Sequence, residues 1–161
     1  MEHSQAADRG RPYHTQWKDG VAGIYGPATN IHRSPFSGRN YEYYSEDGLL
    51  SGIMAERECT GIKESGVYCY LKHFAVNDQE TNRCSFLLTF ASEQAIREIY
   101  LKPFEIIVKT ADPWYVMSSY NLINGCRASE CRELLEDILR AEWGFTGMVS
   151  TDWHPHSEQY K

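Results

Sequence analysis

A carboxylate that closes an apolar strand is the pattern in this chain best suited to chemistry: the run Gly147-Met148-Val149-Ser150-Thr151 ends in Asp152, with Trp153 beside it. In parallel α/β proteins, side chains leave the packed sheet at the carboxyl ends of strands and converge on a shared cleft. Two further strand-like runs end in polar groups. Val67 to His73 finishes in Lys72-His73, and Tyr115 to Asn121 finishes in Ser118-Ser119-Tyr120-Asn121. A carboxylate, cations and hydroxyls brought together in this way suit a polyhydroxylated ligand, each of whose hydroxyls needs a donor or an acceptor. His154 and His156 place two imidazoles close together and raise a metal-binding alternative. Without a third ligand such a pair is more often solvated, so no metal and no other cofactor is expected.

The elements that must position these strand ends alternate along the chain. Residues 1–20 read as a polar, irregular leader, and residues 21–161 as one domain. Val21 to Ile31 is expected to be a strand, followed by a polar loop from His32 to Glu46. Ser45 is the expected N-cap of a helix that runs to about Glu64 and closes at Ser65-Gly66. After the strand ending in His73 comes a long loop. Ser92 then caps a helix whose apolar positions Ala95, Ile96, Ile99 and Tyr100 follow helical spacing. Pro103 starts or kinks a further helical stretch carrying Ile106 and Ile107, and Pro113 breaks it before a strand over Trp114 to Asn121. Ser129 is the expected cap of the last helix, with Glu130 and Glu133 near its positive end. Its apolar face pairs Leu134 with Ile138, and Leu135 with Leu139 and Trp143. Gly144 ends it, and Phe145 to Asp152 returns as strand. Strands and helices in strict alternation favour parallel strands joined by right-handed crossovers.

Composition narrows the function classes. The chain has 161 residues, 42% of them hydrophobic, enough for a single core. Eleven Tyr and four Trp give flat apolar faces with hydrogen-bonding edges, which suit sugars as well as cores. A net charge of −6 and the lack of a basic stripe argue against nucleic acid. No stretch has the apolar length of a membrane helix, and no signal peptide begins the chain. Cys59, Cys69, Cys84, Cys126 and Cys131 form no CxxC pair and leave one over, so they read as reduced thiols. A cytoplasmic location is the resulting expectation.

Three segments carry a resemblance to a known family. They are Gly38-Arg39-Asn40-Tyr41-Glu42-Tyr43-Tyr44-Ser45-Glu46-Asp47, Lys72-His73-Phe74-Ala75-Val76-Asn77-Asp78-Gln79-Glu80-Thr81-Asn82-Arg83, and the terminal Thr151-Asp152-Trp153. Together, in this order and spacing, they resemble glycoside hydrolase family 3, and within it the bacterial β-glucosidases. The likeness runs from about Gly23 to the end of the chain. It implies an α/β fold, a partial (β/α)8 TIM-type barrel with about four parallel strands and intervening helices. It also implies that Asp152 is the catalytic nucleophile and that Arg39, Lys72, His73 and Tyr120 line a sugar subsite. Trp153 offers an apolar face to the sugar ring. The chemistry is coherent with a retaining glycosidase, which needs an ionised carboxylate at the anomeric carbon, and cations nearby favour that ionised form.

Bland alternatives exist for several of these residues. Arg39 could pair with Glu42 or Glu46 on a loop surface, Lys72-His73 could be a solvated rim, and Asp152 could cap a following helix. Glu80 and Arg83 are expected to brace the loop after the strand through an ion pair rather than to touch a ligand. A complete barrel takes about 250 residues, and the family's sugar-binding Asp, its remaining strands and the sandwich domain that usually supplies the acid/base Glu have no counterpart here. Residues Phe74-Ala75-Val76-Asn77-Asp78 also lack the Gly-rich His loop of the family's N-acetylglucosaminidase branch.

The expectation is therefore a fragment or truncated relative of a retaining β-glucosidase. It would act on terminal β-D-glucosyl residues of a β-glucoside or related oligosaccharide through a glycosyl-enzyme intermediate. This chain alone is expected to be inactive or very weak, and to self-associate through exposed barrel edges. The alternative is a non-catalytic sugar-binding or association module derived from the same family.

Overall fold

A single layer of parallel strands with helices on one face organises the chain. The computed structural model describes residues 22–84 and 87–153, so the leader and both His154 and His156 lie outside the described residues. Strands β1 (Gly23–Ile24), β2 (Tyr68–Phe74), β4 (Tyr115–Ser118) and β7 (Met148–Ser150) form a sheet in the order β1-β2-β4-β7. Every pairing in it is parallel, with Gly23 opposite Tyr68, Leu71 opposite Val116 and Val116 opposite Val149. This is the α/β, partial TIM-barrel arrangement of four parallel strands that the sequence implied.

Helix α1 (Gly48–Glu64) packs on α3 (Lys102–Ala111), and both lie against β2 and β4. Gly52 permits this packing, because a Cβ there would stand 2.6 Å from Ile106 Cδ1 and 3.1 Å from the backbone of Pro103. Helix α2 (Glu93–Ala95) continues into a wider turn over Ile96–Tyr100, and α4 (Glu133–Glu142) is likewise wound with bonds to the fifth residue back, as in Trp143 N to Ile138 O. Leu71, Phe74, Leu101, Phe104, Ile107, Val116 and Leu139 are fully buried between helices and sheet. Each such side chain contributes about 1.5–3 kcal/mol by leaving water.

Several expected boundaries move. The strand foreseen over 21–31 shrinks to Gly23–Ile24, since Gly26-Pro27 interrupts it and only a bridge from Ala28 to Lys72 keeps the chain beside β2. Asp47, not Ser45, caps α1: its Oδ1 accepts from Leu50 N at 2.7 Å, while Ser45 Oγ accepts from Asp47 N one turn earlier. Ser92 caps α2 as expected, accepting from Ala95 N. Ser129 caps nothing. It lies in a tight turn closed by Glu130 N to Arg127 O, and α4 starts only at Glu133. Between the strand of Ser118 and that turn sits an unforeseen hairpin of β5 (Leu122–Ile123) and β6 (Cys126–Arg127), joined to β3 (Leu88–Thr89) in a second small sheet. Its turn is Asn124-Gly125, with φ of 50° and 88°, the left-handed pair that a two-residue hairpin turn demands.

Candidate active site

Strand ends β2, β4 and β7, with the loop before α1, bring the chemistry-bearing residues together. Asp152 follows β7 and is only 6% exposed. Its Oδ1 accepts from Trp153 N at 2.8 Å, whereas Oδ2 has no hydrogen-bond partner among the described residues. The nearest charged atoms to Oδ2 are Arg83 Nη1 at 3.5 Å and His73 Nε2 at 3.9 Å. One oxygen of the carboxylate is thus fixed by the backbone and the other faces a cationic group without being tied to it.

His73 is buried at the end of β2, its backbone N–H donating to Asn30 Oδ1 and its carbonyl accepting from Asn30 Nδ2, both at 2.9 Å. Burial, reinforced by the charges of Arg39, Lys72 and Arg83, holds the imidazole well below its ordinary pKa, so it is neutral. Arg39 Nη2 donates to His73 Nε2 at 3.0 Å, which assigns the ring proton to Nδ1, 3.5 Å from the Tyr43 hydroxyl. Tyr43 in turn donates to the carbonyl of Asn77 at 2.7 Å.

Arg39 is itself buried and surrounded by acceptors. Its Nε meets Glu42 Oε1 at 2.6 Å and Glu80 Oε2 at 3.3 Å, and Asn77, with its amide oxygen turned inward, accepts from Nη1 at 2.7 Å. Glu42 also reaches Lys72 Nζ at 3.4 Å, so one carboxylate holds both cations. The pairing of Arg39 with Glu42 was foreseen as a surface contact; it occurs, but in the interior. Arg83 does brace its loop through Glu80 at 3.1 Å, and it also spans from Asp152 to the ring of Tyr120, over which its guanidinium sits at 5.0 Å. Val76, in the loop between His73 and Asn77, has φ of 62°, a strained conformation for a β-branched residue.

Arg39, His73 and Asp152 therefore form one connected cluster, Lys72 joins through Glu42, and Tyr120 through Arg83. Trp153 stands at the rim, 74% exposed, edge-on to Tyr25 with ring centroids 6.0 Å apart. Glu42, Tyr43, Asn77 and Arg83 were not foreseen as members. A cleft of about 390 Å³ adjoins the cluster, bordered by Tyr25, Tyr41, Glu42 and Lys72. A larger one of about 460 Å³, between α2 and α4, contains none of the six candidate residues. Among the described residues, no group of three His, Cys, Asp or Glu side chains could hold a metal, and no helix is long and apolar enough to cross a membrane.

Comparison with known proteins adds a family context. The Glycosyl hydrolase family 3 N terminal domain matches residues 12–160. Beta-glucosidase A of Butyrivibrio fibrisolvens is 53% identical over 135 residues, which cover 84% of this chain and 16% of that protein. An exo-alpha-(1->6)-L-arabinopyranosidase of Bifidobacterium longum is 50% identical over 133 residues, covering 83% of this chain and 17% of that protein. Among solved structures, beta-glucosidase 3B from Thermotoga neapolitana in complex with glucose superposes with a TM-score of 0.83 at 47% identity, over 94% of this chain and 21% of that one. The chain spans about one sixth of the length of the curated relatives it matches.

Proposed function

This chain belongs to glycosyl hydrolase family 3, and on that premise we propose that it carries the nucleophile half of a retaining β-glucosidase site. The observation that carries the proposal is Asp152: a buried carboxylate at a strand end, with one oxygen anchored to the backbone and the other unbonded beside Arg83 and His73. In the proposed reaction Oδ2 attacks the anomeric carbon of a terminal β-D-glucosyl residue, the bond to the aglycone oxygen breaks, and a glycosyl ester forms. Water then cleaves the ester, with an acid/base group outside this chain moving the protons. Lys72 and Arg39 donate to sugar hydroxyls, Tyr120 and His73 complete the polar wall, and Trp153 packs on the ring. The substrate class is a neutral β-glucoside or related oligosaccharide, in keeping with the names of the relatives.

The nucleophile can be tested in this chain directly. A 2-fluoro-β-glucoside with a dinitrophenolate leaving group needs no acid to depart, so it should label the chain covalently, and peptide mass spectrometry should place the label on Asp152. Label on Asp78 or Glu80 would show that the wrong carboxylate has been assigned.

Self-association is the second part of the proposal. Among the described residues β1 and β7 are edge strands, and Ile24, Tyr25, Trp114 and Met148 are exposed along that layer. Open edges with apolar neighbours recruit other chains. Light scattering should find dimers or larger species at micromolar concentration, and a stable monomer would contradict it.

A further inference from the structure

Two cysteines that the proposed glycosidase chemistry does not use meet in the core. Cys59 lies in α1, six residues short of its last turn at Ser65, and Cys69 lies in β2. Both are 0% exposed, and their sulfurs are in direct contact, 2.8 Å apart. Each sits on a regular element, α1 capped by Asp47 and β2 paired on both sides. The juxtaposition is therefore set by helix-on-sheet packing rather than by a loop. The hydrogen bond from the Cys59 thiol, with the Lys63 ammonium adding to it, draws the Cys69 thiol below its usual range although burial opposes this. Cys69 also stands only three residues before Lys72 on the strand that ends in the candidate site.

We propose that Cys59 and Cys69 form a reversible redox pair, closing to a disulfide that ties α1 to β2. Closure is a two-electron oxidation and requires a diffusible oxidant such as a hydroperoxide or a diazene. With a peroxide, the Cys69 thiolate attacks one peroxide oxygen, the O–O bond breaks and hydroxide leaves, giving a sulfenic acid. The Cys59 sulfur then attacks that sulfur, the S–O bond breaks and water departs with the Cys59 proton. With a diazene the two thiols lose two hydrogens in all, and the diazene becomes the hydrazine. Burial keeps oxidant out of the closed core, so access comes through local opening of the end of α1, and the partner thiol is then already in place.

The other cysteines supply the competition. Cys126 is exposed, Cys131 is buried beside it on the larger cleft, and Cys84 is half-buried. If exposure decides, Cys126 reacts first; if preformed contact decides, Cys59 and Cys69 are the pair that ends up linked.

The folded chain is treated with diamide, its remaining thiols are blocked with N-ethylmaleimide in denaturant, and it is digested with trypsin without reduction. Cleavage after Arg57, Lys63 and Lys72 separates the two cysteines onto peptides 58–63 and 64–72. The expected result is these two peptides recovered as one linked species that dithiothreitol splits, together with a rise in thermal midpoint of roughly 5 °C or more for the oxidised chain. Cys59→Ala and Cys69→Ala should each abolish that rise. The peptide result comes from the wild-type chain, so it holds even if a variant fails to fold. Recovery of both peptides carrying maleimide, oxidation to sulfinic acid without linkage, or linkage of either cysteine to Cys84, Cys126 or Cys131 would overturn the proposal.

Discussion

The helix-covered face of the sheet and the carboxyl ends of its strands are both buried, but in opposite ways. On the face, Leu71, Phe74 and Val116 meet Phe104, Ile107 and Leu139, and none of these side chains asks for a hydrogen bond. At the strand ends, Thr29 Oγ1, Ser118 Oγ, Asn121 Oδ1 and Asp152 Oδ2 are closed off from solvent with no hydrogen-bond partner among the described residues. A buried polar atom left in that state costs about 1–3 kcal/mol. The strained Val76 lies in the same region. The face is organised to hold the fold, and the ends carry unmet polar demand that ligand hydroxyls are able to meet.

Substitution at the most polar of these positions should separate the two roles most sharply. Asp152→Asn should abolish covalent labelling by the fluoroglucoside, because an amide cannot form the glycosyl ester. It should change stability by less than about 1 kcal/mol, since it removes a carboxylate oxygen that has no hydrogen bond to lose. Urea unfolding of the same variant checks the second half, and a large loss of stability would mean that Asp152 is structural after all.

Phe104→Ala should do the reverse. Emptying a fully buried aromatic site that contacts Phe74 costs about 3–5 kcal/mol, visible as a lowered urea midpoint. A midpoint close to that of the wild type would show that the helix layer is looser than its burial indicates.

Acid should weaken the strand ends before the helix face. His73 has a folded-state pKa below its unfolded value of about 6.5, so the unfolded chain takes up the proton first as pH falls. Its contribution is fully present above about pH 6.5 and is lost progressively below that, by at most about 1.4 kcal/mol per pH unit. Unfolding midpoints of wild type and His73→Gln, compared from about pH 7.5 to 5.5, should converge on acidification. Parallel curves would contradict a neutral His73.

The smallest effects belong to the caps. Asp47→Ala should cost about 1 kcal/mol, whereas Ser129→Ala should stay within about 0.5 kcal/mol, because only the first side chain accepts from a helical N–H. Thermal midpoints of the two variants decide it, and equal losses would restore Ser129 as a cap.

Much of this layout was readable beforehand. The alternation of elements, the parallel sheet, the Ser92 cap and the end of the last helix at Gly144 follow from periodicity and punctuation, which are local. The Asn124-Gly125 hairpin was also legible, since that dipeptide between apolar residues is a turn signal, but the run from Tyr115 absorbed it. The error over Ser129 has a different source: a capping residue type three positions ahead of a helix looks the same as one at its start until the backbone closes a turn first.

At the site, the amino-acid sequence determined which groups are present: a strand-end carboxylate, the Lys72-His73 pair, Arg39 and an aromatic rim at Trp153. Its family motifs were sufficient to indicate glycosyl hydrolase family 3, to which the chain belongs. Only the tertiary structure decided their electrostatics. Arg39 comes to rest against His73, thirty-four residues away, while Glu42 gathers Arg39 and Lys72 and Arg83 bridges Asp152 to Tyr120. Side-chain types and spacing specify what can donate, accept or ionise. Which charge faces which, and whether water lies between them, depends on contacts between distant segments and on burial, and these come into being when the sheet assembles.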